Sequence, residues 1–358
     1  TTKGLLMKTT IASSSGYSYQ YKNMGQTSNK GVELQLDAVL VDAKDFGLNF
    51  NFNISYNRGK IDKLNGSSFW QSSSWAGTAA AGIEDFLVEE GGRLGEVYGY
   101  KTDGFYTADD FTFDAEKGTY ALKAGVNDCS SLIGGKVYPG SIKLKANEDG
   151  EYKKERLGNT VPTVSGGFGL NARWKGFDFT AFFNYSLGNK IVNATKLGSS
   201  FYSGSSKNWN INDHFTSANR YSWIDPSTGT NLLSSASIKA NGEAWTINRL
   251  NEVNTGSSIW NPAAATVMPL VDWAVEDGSF LRVNNITIGY TLPKLFVSKL
   301  NIQNIRIYVT GYNLHCFTKY SGTDPEVDCC TSTPMTPGID YAAYPKSRSF
   351  VGGINVTF

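Results

Sequence analysis

Residues 48–57 read Leu-Asn-Phe-Asn-Phe-Asn-Ile-Ser-Tyr-Asn. Successive side chains of an extended chain point to opposite faces, so Leu48, Phe50, Phe52, Ile54 and Tyr56 share one face and Asn49, Asn51, Asn53, Ser55 and Asn57 the other. Four carboxamides and a hydroxyl do not belong in a dry core, where each would need a buried partner. This strand therefore needs an apolar medium on one side and water on the other. The alternation recurs in Phe177, Phe179, Ala181, Phe183, Tyr185 and Leu187 against Asp178, Thr180, Asn184 and Ser186, with Phe182 as the exception. It recurs again in Phe168, Leu170, Ala172 and Trp174 against Gly167, Gly169, Asn171 and Arg173, and Lys175-Gly176 between these two segments predicts a hairpin. Phe350, Ile354, Val356 and Phe358 alternate with Val351, Gly353, Asn355 and Thr357 at the end of the chain. A wall with lipid outside and a wet lumen inside accommodates all four segments, so the predicted fold is all-β, an antiparallel transmembrane β-barrel.

Composition agrees. Of 358 residues, 38 are Gly, 20 Phe, 19 Tyr and 8 Trp, while only 18% are charged, as suits strands, turns and aromatic girdles. The net charge of +1 names no partner, and no basic stripe suggests nucleic acid. No apolar run reaches the roughly 18 residues a membrane helix needs. Thr1–Thr10 lacks the layout of a signal peptide, so the chain is expected to be the C-terminal part of a longer protein. Cys129, Cys316, Cys329 and Cys330 have no metal-ligand spacing; Cys316 could pair with either of the last two, or all four could be thiols.

Reading back from Phe358, strands are expected at 346–358, 303–317, 279–292, 177–189, 163–174, 46–60, 30–41 and 2–10. Short connections then fall at one end and long ones at the other, the rule for barrels with short periplasmic turns and long outer loops. That places the C-terminus in the periplasm. Val97–Tyr106 and Val137–Leu144 would raise the number of crossings from eight to ten, but the 107–136 connection would then be a long periplasmic turn, so eight is preferred. Loops this large fit the mouth of a wider barrel better than a closed eight-stranded one.

Several segments carry a resemblance: Asn29-Lys-Gly-Val-Glu-Leu-Gln-Leu, Asp45 to Asn57, Tyr98-Gly-Tyr-Lys-Thr-Asp-Gly-Phe, Gly140-Ser-Ile-Lys, Ser279 to Pro293, Val309-Thr-Gly-Tyr-Asn-Leu, Thr318 to Val327, and Tyr344 to Phe358. In these, over nearly the whole chain, it resembles the C-terminal barrel portion of SusC/RagA-family TonB-dependent outer-membrane transporters. The resemblance implies a barrel of about 22 strands, a size known for plugged outer-membrane transporters. It also implies import of an oligosaccharide or peptide, a SusD-like surface lipoprotein as partner, the TonB complex acting through the missing N-terminal part, and a C-terminal signal (Ile354, Val356, Phe358) for the barrel-assembly machinery. All of 1–358 would belong to the barrel domain, with the plug outside it. The family's acidic, calcium-loop-like stretch reads Asn147-Glu-Asp-Gly-Glu-Tyr-Lys-Lys-Glu-Arg here; Lys153 and Lys154 stand where oxygen ligands are needed, so a solvated turn is expected and no metal or cofactor.

Nothing resembles an active site. His214 and His315 are the only histidines, the acidic pairs Glu89-Glu90 and Asp109-Asp110 read as solvated faces, and Gly91-Gly92 and Gly134-Gly135 lack the context of a phosphate loop. Enzyme activity is not expected. Trp70, Trp75, Trp209, Trp223, Trp245 and Trp260, with Tyr202 and Tyr221, fall in predicted outer segments. Such rings suit sugar or peptide ligands, contacts to a partner, or the packing of the loops themselves. Trp174 and Phe177 flank a short turn and are predicted interfacial girdle residues in contact with outer-membrane lipid. The stretch 190–277 is too long for a passive connector, and deleting 200–261 is expected to spare the barrel while abolishing uptake. A passive porin-like channel and a surface adhesin are the competing functions.

Overall fold

Eight strands, each hydrogen-bonded to the next, form one antiparallel sheet: β1 (Thr2–Thr10), β2 (Tyr19–Asp42), β3 (Phe46–Leu64), β4 (Val164–Trp174), β5 (Phe177–Leu187), β6 (Phe280–Thr291), β7 (Asn304–Thr318) and β8 (Ser349–Thr357). The structure is a computed structural model that describes residues 1–10, 13–17, 19–64, 68–72, 84–202, 210–297, 302–329 and 335–358. Among these residues no pairing joins β1 to β8, so the sheet is an open wall.

The register explains the alternation. Leu36, Phe52, Phe168, Phe183 and Val283 stand side by side across β2 to β6, and Asn49, Asn171, Thr180, Thr287 and Thr310 form a polar row across β3 to β7. The apolar row is left open: Val32, Leu34 and Leu36 on β2 are 72%, 57% and 49% exposed. Phe182, the exception, is paired with Gly169 and Asn285 on the polar face. Gly167 makes room for it, since a Cβ there would lie 3.0 Å from the Phe182 ring and 2.8 Å from the Phe183 carbonyl oxygen.

The 43–45, 175–176 and 292–303 connections lie at one end of the wall; 11–18, 65–163, 188–279 and 319–348 lie at the other. At the tightest turn both residues take positive φ, 50° at Lys175 and 104° at Gly176, the twist a two-residue hairpin needs. Strands β2 and β3 run longer than the sequence suggests. Their extra ribbon, paired from Gly25–Leu64 to Thr27–Ile61, rises beyond β4 because Ile61 and Leu64 find cover against Val88 and Phe69.

The long connections are not loops in the usual sense. Residues 84–159, 190–277 and Ile339 bury one shared core that includes Phe86, Val97, Tyr106, Leu197, Leu250 and Met268. Val97–Tyr106 does not cross in the wall: Glu96–Gly99 pairs with Glu155–Asn159, and Thr102–Phe105 pairs with Ile142–Leu144. Val97, Tyr106, Ile142 and Leu144 are covered by the rest of this outer module, which offers them a dry interior in place of lipid. The wall thus has eight strands rather than ten. The helix Ser235–Val253 is capped by the Ser234 hydroxyl, which accepts from the Ser237 N–H at 3.2 Å, and is broken at Gly242 (φ 77°).

Of the alternatives left open for the cysteines, the structure takes the thiol at two positions. Cys316 and the buried Cys129 are free thiols, so Cys316 is not bridged; Cys330 lies outside the described residues. The acidic pairs are exposed or half-buried, as a solvated face is, and three of their carboxylates also hold partners. Glu90 accepts the Leu64 N–H at 2.5 Å, Asp110 the Thr107 N–H at 2.7 Å, and Asp109 the Asn251 amide at 2.9 Å. Glu90 and Asp109 thereby join segments far apart in the sequence, while Asp110 caps its own turn.

Candidate functional site

Three surfaces could carry function: the polar face of the wall, the outer module above it, and the rim at the short turns. On the polar face, neighbours satisfy one another. The Thr180 hydroxyl donates to the Asn171 amide oxygen at 3.1 Å, the Thr287 and Thr310 hydroxyls share a bond of 2.8 Å, and Arg306 Nε donates to Asp178 at 2.9 Å.

Near the top of the same face, Arg282 draws the 319–348 connection down onto the wall. Its guanidinium donates to Asp324 at 2.6 Å and to Glu326 at 2.5 Å, and Glu326 is shared with Lys346 Nζ at 2.7 Å. The aspartate is placed by a turn in which its Oδ1 accepts the Glu326 N–H at 2.9 Å. Sequence reasoning missed this cluster. Its signal was Arg282 standing alone in a strand with no other charge, together with the paired acids of Asp324-Pro-Glu326.

The outer module holds a second charged cluster. Lys196 Nζ donates to the Trp273 carbonyl oxygen at 2.9 Å, lies 4.0 Å from that ring's centre, and pairs with Glu276 at 3.2 Å. Burial alone would raise the Glu276 pKa, but bonds from the Ser321 N–H and hydroxyl, with the Lys196 ammonium, hold it below the usual range. Asp340 beside it is raised by burial even though the Tyr320 hydroxyl donates to it at 2.6 Å. Both clusters tie wall-end segments into the module. The calcium-like stretch is a closed turn: Asn147 Oδ1 accepts the N–H groups of Asp149 (3.1 Å) and Glu151 (2.8 Å), and Lys153 pairs with Glu151 at 2.8 Å. His214 packs edge-on against Trp273, and His315 against Phe317.

The sequence-selected aromatics divide. Trp260 is 4% exposed, donates Nε1–H to the Ser200 carbonyl at 3.0 Å, and meets Phe215 and Trp273 edge-on. Tyr221 is 2% exposed and packs against Phe105. Both are core residues of the module, which leaves them no surface for a ligand. Trp223 is half-buried, with its Nε1–H on the Pro139 carbonyl at 2.6 Å. Trp70, Tyr202 and Trp245 keep open faces; Trp70 leans on Tyr98, with Lys154 Nζ 4.9 Å from its ring. Trp75 and Trp209 lie outside the described residues. Trp273, a central anchor of the module, was not singled out from sequence although it falls in the same 190–277 stretch.

At the short-turn rim the register places Phe46, Trp174, Phe177 and Tyr290 in one row. The Trp174 and Phe177 rings stack at 6.3 Å, and Phe177 and Tyr290 meet at 4.5 Å. At the other chain end Ile354, Val356 and Phe358 are 66%, 41% and 80% exposed.

No family model matches the chain. It is 29% identical over its whole length to TonB-dependent receptor P3 of Formosa agariphila, of which it covers 31%. It is 23% identical over 94% of its length to TonB-dependent receptor SusC of Bacteroides thetaiotaomicron, of which it covers 27%. Its fold matches the RagAB peptide importer in the open-open state over 99% of the chain, with a TM-score of 0.62, 21% identity and 31% coverage of that structure. Over nearly its whole length the chain is similar to receptors of the SusC and RagA type. It spans about a third of the length of the relatives it matches. Those relatives are named as receptors and transporters, and the chain shares their fold as an all-β, antiparallel piece of a β-barrel wall.

Proposed function

We propose that this segment is the C-terminal part of the barrel of an outer-membrane importer that takes up an oligosaccharide or a peptide. The polar face lines the passage, and the apolar face meets lipid. The row containing Trp174 and Phe177 is a girdle at the periplasmic rim, the C-terminus lies in the periplasm, and Ile354, Val356 and Phe358 present the signal read by the barrel-assembly machinery. Energy comes from TonB acting through a part of the protein outside this segment. A SusD-like lipoprotein closes on the outer module, with Trp70, Tyr202 and Trp245 as its contacts or as contacts for cargo.

The observation that carries this reading is the pairing of a water-adapted wall with a folded module confined to the long-connection end. A passive pore needs the first but not a module with its own core. The module also changes the test: residues 200–261 supply Tyr221, Leu232, Ile238, Leu250 and Trp260 to that core, so deleting them would unfold the module as well as remove surface. Substituting Trp70, Tyr202 and Trp245 together in the full-length protein is cleaner. Uptake should fall sharply while the barrel still assembles, and uptake should stop when an uncoupler collapses the proton-motive force. Uptake that survives the uncoupler would return the passive channel.

A further inference from the structure

Towards the long-connection end, the apolar face of β2 and β3 stops at Val32, which stands opposite Tyr56. On the next two rows of the same face Lys30 stands opposite Arg58, and Ser28 opposite Lys60. One row higher the register steps over Asp62, so that Lys63 faces Gln26, and Gln26 faces Lys3 of β1 on its other side. Period-two alternation therefore puts Lys3, Lys30, Arg58, Lys60 and Lys63 on one outward face, and all five residues are exposed. Among the described residues none of the five forms an ion pair.

Counter-charge is scarce around this strip. Residues 1–31 contain four lysines and no Asp or Glu, and 160–163, which leads into β4, is uncharged. Asp62 accepts the Ser28 hydroxyl at 2.8 Å, and Glu90 beside the ribbon accepts the Leu64 N–H at 2.5 Å. Glu33 belongs to the other face, where it accepts the Ser55 hydroxyl at 3.1 Å. Five cations thus have two carboxylates near them, and like charges set directly opposite, as Lys30 and Arg58 are, repel. A phosphate between them turns that repulsion into two charge-assisted contacts. The strip begins where the apolar face ends, so an amphiphile with acyl chains against Val32, Leu34 and Tyr56 carries its anionic groups to the height of Lys30 and Arg58. A soluble polyanion gains nothing from that apolar neighbour. From Lys30 to Gln26 the strip rises about 14 Å, more than one phosphodiester spans, and Ser28 and Gln26 add hydroxyl and amide partners suited to a sugar.

We propose that the outward face of β2 and β3 at Lys30, Arg58 and Lys60 is a binding site for a phosphorylated glycolipid of the leaflet at the long-connection end, with Lys3 and Lys63 above it. The assignment rests on the membrane-barrel reading above. The test is native mass spectrometry of the full-length protein in detergent, titrated with lipid A, an acylated glucosamine disaccharide that carries phosphate, or with the same lipid after enzymatic dephosphorylation. The phosphorylated form should be retained about tenfold better or more, and its deacylated, water-soluble headgroup should fail to displace it. A variant combining Lys30→Gln, Arg58→Gln and Lys60→Gln should bring the preference to within about twofold. All three residues are exposed, and heat-modifiable migration on a gel shows whether the variant has assembled. Equal retention of the two lipids, or a preference unchanged in the variant, would overturn the site. Displacement by the deacylated headgroup would overturn the lipid as its occupant and leave a site for soluble polyanions. Failure of the parent protein to partition into membranes would instead defeat the barrel reading itself.

Discussion

Arg282 and Asp324, 42 positions apart, form an ion pair of 2.6 Å in which the side chains are only 5% and 4% exposed. A buried pair does not guarantee net stability, but removing one partner strands the other charge, at a cost of about 3–5 kcal/mol. Arg282→Met is therefore expected to release the 319–348 connection from the wall, because Asp324 and Glu326 lose their shared cation. Limited proteolysis of the full-length protein should then cut within this connection at rates at least tenfold above the parent. Asp324→Asn, which leaves the Arg282–Glu326 contact, should do much less. Equal protection of all three proteins would show that the connection is held elsewhere.

Two neighbouring glycines should respond differently. A methyl group at Gly167 would meet the backbone oxygen of Phe183 at 2.8 Å, while at Gly169 it would meet the end of the Asn51 side chain at 2.7 Å. An amide can swing aside, but a strand carbonyl cannot. Gly167→Ala is expected to cost about 1–3 kcal/mol, the usual range for overpacking, and Gly169→Ala under about 1 kcal/mol. The midpoint of heat-modifiable gel migration orders the two; the reverse order would reject the geometry.

These glycines show what was legible in sequence. The strands, their order and the two faces could be read because a period of two is forced wherever lipid and water lie on opposite sides, and each expected crossing from 2–10 to 346–358 has its counterpart in the wall. Phe182 broke the pattern and could not be explained without knowing that Gly167 lies beside it. The module was illegible for a related reason. Its strands, such as Ile142–Leu144 and Glu96–Gly99, are three or four residues long and covered on more than one side, so they leave no alternation to read. Aromatic content alone could not separate the buried Trp260 from the open Trp245.

Acid should loosen the module through Asp225. Arg249 grips this carboxylate with Nε at 2.7 Å and Nη2 at 2.8 Å, and those bonds, with others from Ser227, hold its pKa far below the ordinary value. A depressed carboxyl contributes stability that is fully present above the unfolded pKa of about 3.9 and is lost as pH falls through the folded one. The gap in denaturation midpoint between the parent and Asp225→Asn, followed by tryptophan fluorescence, should be constant above about pH 5 and narrow below about pH 4. A gap independent of pH would assign the effect to something other than this carboxylate.

Single-tryptophan variants can locate the lipid. Trp174 is 55% exposed at the short-turn rim, whereas Trp260 is 4% exposed inside the module. In vesicles of brominated lipid, Trp174 emission should be strongly quenched and Trp260 emission nearly untouched. Quenching of both to the same degree would contradict the placement of the girdle.

The core of the outer module is assembled from three separate connections between strands, so the upper ends of β3 to β8 are fastened to one solid body. A force applied anywhere on that body is delivered to six staves at once, and the mouth of the barrel answers as a stiff collar instead of a fringe of independent fingers.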